Sequence, residues 1–591
     1  MDDFIKHMKQ LATDYDNPLA YFHNLKFDGS FILYWLLENG YQEDKDLSEE
    51  KTFSTIITGE GQWYQIKVRF ENDYPKTLKG QNRIKNGQIV VNERYITFED
   101  SCKKVNGSIE TLAKQFGLTV SKSTIDYCKY RPVGYIPTED EDYYGCIDVN
   151  ILAQVMYHII IEEKADKMTI GSDAMDFYKE TTPNYQRKNK YGHGGDKLKE
   201  ECFREIFPCL DNYFINDLSY DEFSRRSYKG GWTYLKDNKV TQIGDGLVYD
   251  VNSLYPSVMY ECPLPYGMPI EFEGCYDDLP QATKNQYNLY ITKLTFMFEI
   301  KENHLPCIQI KKSFRFNENE YLTTSDDEPV TLYLASADLE LIKEHYNISN
   351  VIYQGGLAFK SSDIYFKDYI DHWASIKEQA TISGNKGQRQ YSKYMQNNLY
   401  GKFATNPEHK SKHVRIEDDR LQYETVKEER DESIYTPVAC FVTAWARNKT
   451  IRSAQANYER FIYADTDSIH LSGLEPPKEN EYFSIHQSKL GKWKCEMVFH
   501  KGKYLRQKTY MESPYLKDGK VLENPFELDD SCIKSNKPDI KCCGLPNGEK
   551  GKGCVTYDNF NLGQVFKGSR KIPKNVKGGV VLHEQDFEIR Q

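Results

Sequence analysis

The sequence predicts a chain of several domains that combine the α/β and α+β classes. Its 591 residues exceed the length that one hydrophobic core usually organises. Hydrophobic residues make up 39% and aromatic residues 14%, which is typical of a folded chain. Strand-like and helix-like runs alternate up to about Thr169, and strand signals dominate from Gly244 to about Tyr353. The change from alternation to mostly strands predicts more than one architecture.

The elements follow in order along the chain. The run Trp63–Phe70 is strand-like, and residues 180–200 are polar, charged and glycine-containing, which predicts a loop or linker. Apolar residues recur at helical spacing over Phe366–Lys377, residues 383–385 predict a turn, and a second helix is expected to run through Tyr400.

The last third returns to strands. Residues 406–436 are polar and favour strands, apolar strand signals resume at Phe461, and the tail from about Asp539 is basic and rich in Gly and Pro.

Composition excludes some classes of protein. No secretory signal opens the sequence, and the apolar run Ile151–Ile161 is too short to span a bilayer, so we expect a buried helix there. The 14 cysteines contain no CxxC pair, which predicts free thiols in a reducing cytoplasm. One cluster has irregular spacing and no nearby His, and is a poor zinc site: Cys532, Cys542, Cys543 and Cys554.

The charge is unevenly distributed. The net charge of −11 counts mildly against a nucleic-acid partner. Basic clusters nevertheless occur at Arg187–Lys199, Lys402–Arg415, Lys501–Lys508 and Lys567–Lys577. Each is compatible with an ordinary solvated face, but a groove lined by several of them could hold a phosphate backbone.

Two carboxylates lie close together between apolar strands. Asp465 and Asp467 sit between Phe461–Ala464 and Ile469–Leu471, which predicts a hairpin with both acids at its tip. Like charges this close repel each other, and Mg²⁺ with its hard oxygen ligands would remove the conflict. The simpler alternative is a solvated Asp-rich turn.

A third carboxylate ends another strand. The apolar run Gly246–Tyr249 delivers Asp250 to its end, and Pro256 is expected to turn the chain. The alternative is a strand that ends in a polar turn. Two strands that each end in Asp can place their carboxylates side by side, where two metal ions would support phosphoryl transfer.

A basic stripe follows the second predicted helix. Arg389, Lys393 and Asn397 are spaced i, i+4 and i+8, so they share one face that could grip a triphosphate. No GxxxxGK[ST] loop occurs, so side chains rather than a glycine-rich loop would hold the phosphates. An ordinary exposed basic face is the alternative for this helix alone.

Together these segments resemble family B DNA polymerases. Asp250–Ser257 resembles motif A, Lys393–Gly401 motif B, Tyr463–Ser468 motif C, and Lys508–Tyr510 the Lys-x-Tyr motif. They occur in the order of the family. One departure is Asn398, where the family usually carries Ser.

Further motifs resemble the protein-primed subgroup. Tyr21–Asp28 is similar to the second exonuclease motif and Tyr144–Asp148 to the third. Tyr228–Gly231 resembles the linker motif between exonuclease and polymerase. Two extra segments, within 262–362 and 406–436, match the insertions of polymerases from small tailed phages, adenoviruses and linear plasmids.

The resemblance implies a right-hand polymerase of palm, fingers and thumb, preceded by a partial ribonuclease-H-like 3′–5′ exonuclease domain. The implied domains are 1–178 exonuclease-like, 179–261 linker and palm, 262–362 first insertion, 363–405 fingers, 406–436 second insertion, 437–538 palm and 539–591 thumb.

The resemblance also implies roles for individual residues. Asp250, Asp465 and Asp467 would be catalytic, and Asp250, Val251 and Asp467 would hold two Mg²⁺ ions, with Mn²⁺ as a substitute. The implied dNTP-binding residues are Tyr255, Lys377, Arg389, Lys393, Asn397, Tyr400 and Gly401. The implied contacts with primer or DNA are Tyr228, Gly230, Gly231, Lys508 and Tyr510.

The partners implied are a DNA template and primer, dNTPs and a terminal priming protein, with no membrane. The chain would act as a monomer in the cytoplasm, a bacterial one if phage-borne or plasmid-borne. Two rival functions remain: a replication factor that binds DNA without catalysis, and a polymerase that works on RNA. Tyr255 argues against ribonucleotide incorporation but not against an RNA template.

The exonuclease motifs are incomplete. The family's exonuclease uses four carboxylates, two of them from an early Asp-x-Glu, whereas this chain offers Asn24, Asp28, Tyr144 and Asp148. The nearest candidate, Asp14–Asp16, lacks the Glu. We therefore expect Met1 to fall inside the exonuclease domain and proofreading to be weak, through a start codon upstream, a separate polypeptide or a real loss.

Overall fold

The fold is described from a computed structural model. It describes residues 1–590 except 72, 73, 76, 79, 80, 83, 86, 87, 90, 120–124, 126–128, 132, 133, 191, 193, 194, 312 and 318.

An N-terminal domain is built on a five-stranded sheet. Its strand order is β1-β11-β4-β3-β2, with β1 at one edge and parallel to β11. Phe53, Ile66 and Phe98 are fully buried between the sheet and its helices. The elements are α1 Asp2–Asp14, β1 Leu19–Phe22, α2 Leu25–Glu38, β2 Gln42–Glu43, β3 Thr52–Ile57, β4 Trp63–Arg69, β5 Tyr74–Pro75, β6 Thr77–Leu78, β7 Gln81–Asn82, β8 Ile84–Lys85, β9 Gln88–Ile89, β10 Val91–Asn92, β11 Tyr95–Asp100, α3 Ile109–Gln115, α4 Glu139–Tyr157 and α5 Ile170–Thr181.

Helix α4 and the turn after it are buried along one face only. Ile151, Val155 and Ile159 are fully buried, whereas Tyr157 is 58% and Ile161 57% exposed. The prediction of a buried helix over Ile151–Ile161 is therefore wrong for half of its surface, because only one side packs against the rest of the domain. By length and composition alone, Glu139–Glu162 could cross a membrane, but this is weak support because soluble helices pass the same test.

The central sheet is mainly antiparallel and has ten strands. Its main order is β14-β23-β24-β16-β25-β26-β27, with β15 on β25 and with β28 and β29 on β26. The first part contributes α6 Pro183–Lys188, α7 Asp196–Ile206, β12 Phe214–Ile215, β13 Leu218–Ser219, α8 Tyr220–Arg225, β14 Thr233–Leu235, β15 Thr241–Ile243, β16 Gly246–Val251 and α9 Leu254–Glu261.

The loop predicted over 180–200 is instead largely helical, although residues 191, 193 and 194 lie outside the described residues. Pro183 opens α6, where its missing N–H costs no hydrogen bond. Helix α7 buries Cys202, Phe203 and Ile206 on one face. Polar composition concealed this amphipathic pattern.

The first insertion is a four-stranded sheet of order β17-β20-β18-β19, covered by α11. Its own core includes Leu294, Phe296 and Leu334, all fully buried. The elements are β17 Leu264–Phe272, α10 Gln281–Gln286, β18 Leu289–Ile300, β19 Val330–Ala335, α11 Ser336–His345 and β20 Tyr346–Ser362.

Two antiparallel helices follow, α12 Lys367–Ser383 and α13 Lys386–Phe403. Gly384 ends α12 in the left-handed region at φ +73°, and the Asn385 side chain accepts from the N–H of Gln388 to start α13. Helix α13 packs on α5, and the Lys402 ammonium donates to the Ser172 hydroxyl at 3.3 Å. The N-terminal domain therefore braces the helix pair.

A hairpin of β21 Lys410–Glu417 and β22 Arg420–Lys427 bridges two distant parts of the chain. Val414 and Leu421 belong to the core of the N-terminal domain. At the hairpin tip, Lys577 forms an ion pair with Asp419 at 3.0 Å, and the Asn575 amide donates to the carbonyl of Leu421. The hairpin thus links the first domain to the last.

The remaining elements complete the central sheet and the C-terminal hairpin. Strand β29 pairs with β26, so residues 539–542, where the resemblance implies the start of the thumb, extend the central sheet. The elements are α14 Thr436–Ala456, β23 Phe461–Asp465, β24 Ser468–Ser472, β25 Trp493–Arg506, β26 Thr509–Lys517, β27 Lys520–Val521, β28 Ile533–Lys534, β29 Asp539–Cys542, β30 Val565–Val576 and β31 Gly579–Glu588.

Cysteines in the described part form no disulfide: thirteen are free thiols, and Cys128 lies outside the described residues.

Candidate active site

Asp250 and Asp467 lie side by side on the central sheet. Strand β16 pairs with β24 so that Asp250 faces Ser468 across the ladder. The N–H of Val251 donates to the carbonyl of Asp467 at 2.8 Å, which fixes the two strand ends against each other. Residues more than 200 positions apart thereby share one cavity of about 780 Å³.

Both carboxylates have raised pKa values. Burial, then the charges of Asp467 and Glu496, raise the pKa of Asp250 to about 8. Burial, then the charges of Asp465 and Glu496, raise the pKa of Asp467 to about 6. A cation between them would relieve both the repulsion and the cost of burial.

Asp465 is held differently from its neighbours. Its Oδ1 accepts from the Lys508 ammonium at 2.7 Å and from the Thr233 hydroxyl at 3.0 Å. Thr466, between the two acids, has φ +63° and turns the tip tightly. Protein donors therefore already satisfy Asp465, which leaves Asp250 and Asp467 as the carboxylates best suited to a metal.

The residues fit a magnesium site of open type. No group of three or more His, Cys, Asp or Glu in the described part of the chain is arranged to hold a metal by itself. Asp250, Asp467 and the main-chain carbonyl of Val251 instead offer a partial set of hard oxygen donors. Mg²⁺ commonly binds through one or two carboxylates and takes its other ligands from water and substrate phosphates.

Glu496 lines the same cavity and was missed from the sequence. Between Val248 and Tyr249 the pairing of β16 with β25 shifts by one residue, and Glu496 is the extra residue in β25. A bulge of this kind re-aims a side chain. Strand alternation alone gives no signal for it.

Cationic side chains of the helix pair face these acids. The positive charge of Lys393 lowers the pKa of both Asp250 and Asp467, and so opposes the effect of burial. Burial, then the charges of Arg389 and Lys393, lower the pKa of Lys377. The structure therefore brings together the three predicted phosphate-binding cations from both helices, and one of them, Lys393, acts on the carboxylates.

Two tyrosines stack at the edge of the site. The rings of Tyr255 and Tyr400 have centroids 4.1 Å apart at 30°, and their hydroxyls share a hydrogen bond. Tyr255 lies in the first turn of α9, as does Pro256. The expectation that Pro256 turns the chain is wrong, because a first-turn proline needs no N–H donor and leaves the helix intact.

The remaining helix-pair residues lie on α13. Asn397 is partly buried, and Gly401 is exposed, with no atom within 4 Å of where a Cβ would stand. The Asn398 amide donates to the carbonyl of Tyr394 at 2.8 Å, so its polar group is turned back onto the helix.

The Tyr228–Gly231 segment packs directly on the acidic tip. A Cβ on Gly231 would lie 2.6 Å from the Thr466 side chain, whereas Gly230 has open space. The carbonyl of Trp232 accepts from the N–H of Thr466 at 2.8 Å. Burial, then Tyr400, raise the pKa of Tyr228 to about 12. The close approach of Thr466 therefore explains why position 231 is a glycine, whereas the space around Gly230 does not require one.

Lys508, in the turn between β25 and β26, and Tyr510, in β26, border the cavity. Lys508 has φ +55° in the turn between these strands, and its N–H donates to the Tyr463 hydroxyl at 2.9 Å. Tyr510 lines the cavity and is only 8% exposed.

The four exonuclease-type residues lie in the N-terminal domain. Asn24, at φ +73°, precedes α2 and donates its N–H to Asp100 at 3.0 Å. Burial, then the charge of Asp100, raise the pKa of Asp28. Tyr144 and Asp148 are four residues apart on α4 and so share a face. Sequence reasoning missed Asp100 because it stands in no recognised motif.

Comparisons with known proteins show which family the chain belongs to. The family model for DNA polymerase type B, organellar and viral, matches residues 10–142 and 129–485. DNA polymerases of Bacillus phages M2 and phi29 are both 40% identical over 100% of this chain, and over 93% and 92% of their own lengths. The polymerase of Streptococcus phage Cp-1 is 32% identical over 100% of this chain and 92% of its own.

A solved structure has the same fold. Phi29 DNA polymerase complexed with primer-template DNA and incoming nucleotide substrates matches with a TM-score of 0.82 and 38% identity, over 100% of this chain and 93% of that one. The predicted fold class, a right-hand polymerase of mixed α and β structure with an exonuclease domain, is confirmed.

Proposed function

This chain belongs to the type B DNA polymerases of organelles and viruses, and from that membership we propose how its cavity joins nucleotides. It is a DNA-directed DNA polymerase. The proposal is that Asp250 and Asp467, with the carbonyl of Val251, hold two Mg²⁺ ions, for which Mn²⁺ can substitute. The observation that carries it is the pair of half-buried carboxylates at neighbouring strand ends, both with raised pKa values and both within the influence of the Lys393 charge.

The division of labour follows from the charges. The bound ions would stabilise the attacking and leaving oxygens of nucleotidyl transfer. Lys377, Arg389 and Lys393 bind the triphosphate of the incoming dNTP, with Asn397 on the same face of α13. Asp465 forms an ion pair with Lys508 and thereby holds the Lys508 side chain at the edge of the cavity.

Selection against ribonucleotides is assigned to Tyr255. Its ring is fixed by the stack and hydrogen bond with Tyr400. A fixed ring beneath the sugar leaves no room for a 2′-hydroxyl. Tyr400 and Gly401 border the nascent base pair, and the open space at Gly401 allows close approach of a base.

The DNA path is proposed to run beside the cavity, where Lys508 and Tyr510 line its wall. Tyr228, Gly230, Gly231, Lys508 and Tyr510 contact primer and template beside the cavity. The β21–β22 hairpin joins the N-terminal domain to the C-terminal hairpin through Val414, Leu421 and the Asp419–Lys577 pair. Such closure around DNA favours processive synthesis and strand displacement.

Initiation is proposed to use a protein hydroxyl. The first insertion has its own sheet and core, directly follows α9 of the palm and precedes α12 of the fingers, and so offers a surface for a terminal priming protein. Incubating the chain with its partner proteins and one labelled dNTP should yield a dNMP attached to protein. Efficient initiation only from RNA primers contradicts this.

The chain would act as a monomer in the cytoplasm of a bacterial host.

Proofreading by the polypeptide of residues 1–591 is proposed to be weak. Asp28 and Asp148 are two of the four carboxylates that such an exonuclease uses, and losing two ligands weakens both metals. Purified chain should degrade single-stranded DNA slowly. Rapid degradation that Asp28→Ala abolishes contradicts the proposal.

Primer extension tests the central assignment. Asp467→Asn should abolish dNMP addition with Mg²⁺ while DNA binding stays near that of the wild type, because the basic groove is unchanged. The exposed Asp278→Asn is the matched control and should extend normally. Near-normal extension by Asp467→Asn would refute the two-metal assignment. Parallel reactions with rNTPs and RNA templates separate the DNA-directed activity from the RNA alternative.

A further inference from the structure

A buried polar cluster lies beneath the Lys508 turn. His470 and Glu512 are each 1% exposed and Tyr504 is fully buried. The His470 Nδ1 lies 2.6 Å from Glu512 Oε1, and the Tyr504 hydroxyl donates to the same oxygen. A carboxylate oxygen only accepts, so Nδ1 is assigned as the donor of this bond.

His470 stands three residues after Asp467 on β24. It faces Val248 in β16 and Tyr463 in β23. Its ring contacts Tyr463 and Tyr510 edge-on, with centroids 5.1 and 5.0 Å away. The imidazole therefore touches the strand that carries Asp465 and the strand that carries Tyr510.

The cluster is connected to the Lys508 turn by hydrogen bonds as well as packing. The Tyr463 hydroxyl accepts from the N–H of Lys508 at 2.9 Å and lies 3.4 Å from Asp465 Oδ2. Lys508 adopts φ +55°. This conformation costs free energy and persists only where surrounding contacts hold it in place. Tyr463, held by His470 and Tyr510, supplies one of the bonds that impose it.

The other imidazole nitrogen, Nε2, has no hydrogen-bond partner in the part of the chain that the structure describes. His470 Nε2 is buried and makes no hydrogen bond among the described residues, although His470 and Glu512 both line the cavity. Leaving such a group unsatisfied costs free energy, and an apolar residue would avoid that cost. Packing alone therefore does not account for a histidine at this position.

We propose that His470 is a positioning residue, which through Glu512, Tyr463 and Tyr510 fixes the Lys508 turn against Asp465 and so sets the primer end relative to Asp250 and Asp467. This inference rests on the proposed function, because it assumes that Lys508 and Tyr510 hold the primer. It assigns no contact with substrate to His470 itself.

Two substitutions separate the hydrogen bond from packing. His470→Phe keeps an aromatic ring and removes the donor to Glu512, whereas His470→Asn retains a donor near the position of Nδ1. In single-turnover extension, His470→Phe should lower the rate at saturating dNTP and DNA about tenfold or more, because misplaced reactants react slowly. The apparent Kd for dNTP should change by less than about threefold, and His470→Asn should recover most of the rate.

A matched control tests for a merely structural effect. His345 is also buried, at 2% exposure, and its Nδ1 bonds the carbonyl of Leu305 at 2.7 Å, within the first insertion. His345→Phe should leave the extension rate within about twofold of wild type at a temperature where both variants are folded. An equal loss in both variants, or no recovery with His470→Asn, overturns the proposal.

The route through the Lys508 turn is tested by a double mutant. His470→Phe combined with Lys508→Ala should be no slower than Lys508→Ala alone, since both changes remove one function. If the double mutant instead loses rate by the product of the two single-mutant losses, His470 does not act through Lys508. A wild-type chain that fails to extend a primer refutes the proposed chemistry itself, whereas normal extension by both wild type and His470→Phe overturns only this inference.

Discussion

Asp250→Asn should stabilise the metal-free protein while it abolishes nucleotide addition. Burial and the charges of Asp467 and Glu496 raise the pKa of Asp250 from 3.8 to about 8. The folded state therefore takes up a proton that the unfolded state does not. The free energy of unfolding therefore falls as the pH rises from about 3.8 to about 8. Asn does not ionise, so the Asp250→Asn variant does not show this fall.

The size of the effect follows from this window. About three pH units separate 3.8 from neutral pH, which corresponds to about 4 kcal/mol of stability at pH 7. Because Asp467 can take up the proton in place of Asp250, the gain falls to roughly 2–4 kcal/mol. If the chain unfolds as one unit, the melting temperature rises by about 2–3 °C, and by more if the palm unfolds separately.

Thermal unfolding in EDTA between pH 5 and pH 8 measures this directly. The gain of Asp250→Asn over wild type should be largest at pH 8 and shrink towards pH 5, while Asp278→Asn shows no such trend. Added Mg²⁺ should stabilise wild type more than the variant. A variant that is less stable than wild type at pH 8, or that gains equally from Mg²⁺, would refute the charge-conflict argument.

Three further outcomes are expected. Tyr255→Val should lower discrimination against rNTPs about tenfold or more in single-turnover kinetics, and unchanged discrimination would remove Tyr255 as the gate. Gly231→Ala should slow extension about tenfold, because its Cβ would meet the acidic tip at 2.6 Å, whereas Gly230→Ala, with open space, should extend normally. Asp419→Lys should shorten the extension products made in a single DNA-binding event by about twofold; the effect is small because a surface ion pair contributes little. Adding Lys577→Glu restores an ion pair of reversed charge and should restore the product length. Equal shortening in the double variant would indicate that this ion pair does not hold the two hairpins together.

Local patterns predicted much of the site. Alternating apolar residues around Asp465 and Asp467 predicted the hairpin, and helical spacing predicted both α12 and α13 with the turn at Gly384. The side chain of Lys377 reaches its partners from the other helix, as the resemblance implied. These features depend on residues close together in sequence, which a single sequence records directly.

Features set by long-range pairing escaped prediction. Glu496 enters the cavity through a bulge opposite Val248, and Asp100 meets Asn24 through the pairing of two separated strands. The boundary implied at residue 539, between palm and thumb, was not found there, because β29 pairs with β26 and so belongs to the central sheet. In each case the partner strand, rather than the local sequence, decides where the side chain lies.

The position of the two carboxylates explains why this fold tolerates large insertions. Between Asp250 and Asp467 the chain forms a four-stranded sheet, the helix pair and the β21–β22 hairpin, yet it returns to a strand hydrogen-bonded to β16. Doubling the length of such an excursion adds only about 0.6 kcal/mol of closure entropy. The N–H of Val251 on the carbonyl of Asp467 fixes the separation of the acids whatever lies between them. Insertions can therefore acquire contacts with DNA or a priming protein without moving the site of chemistry.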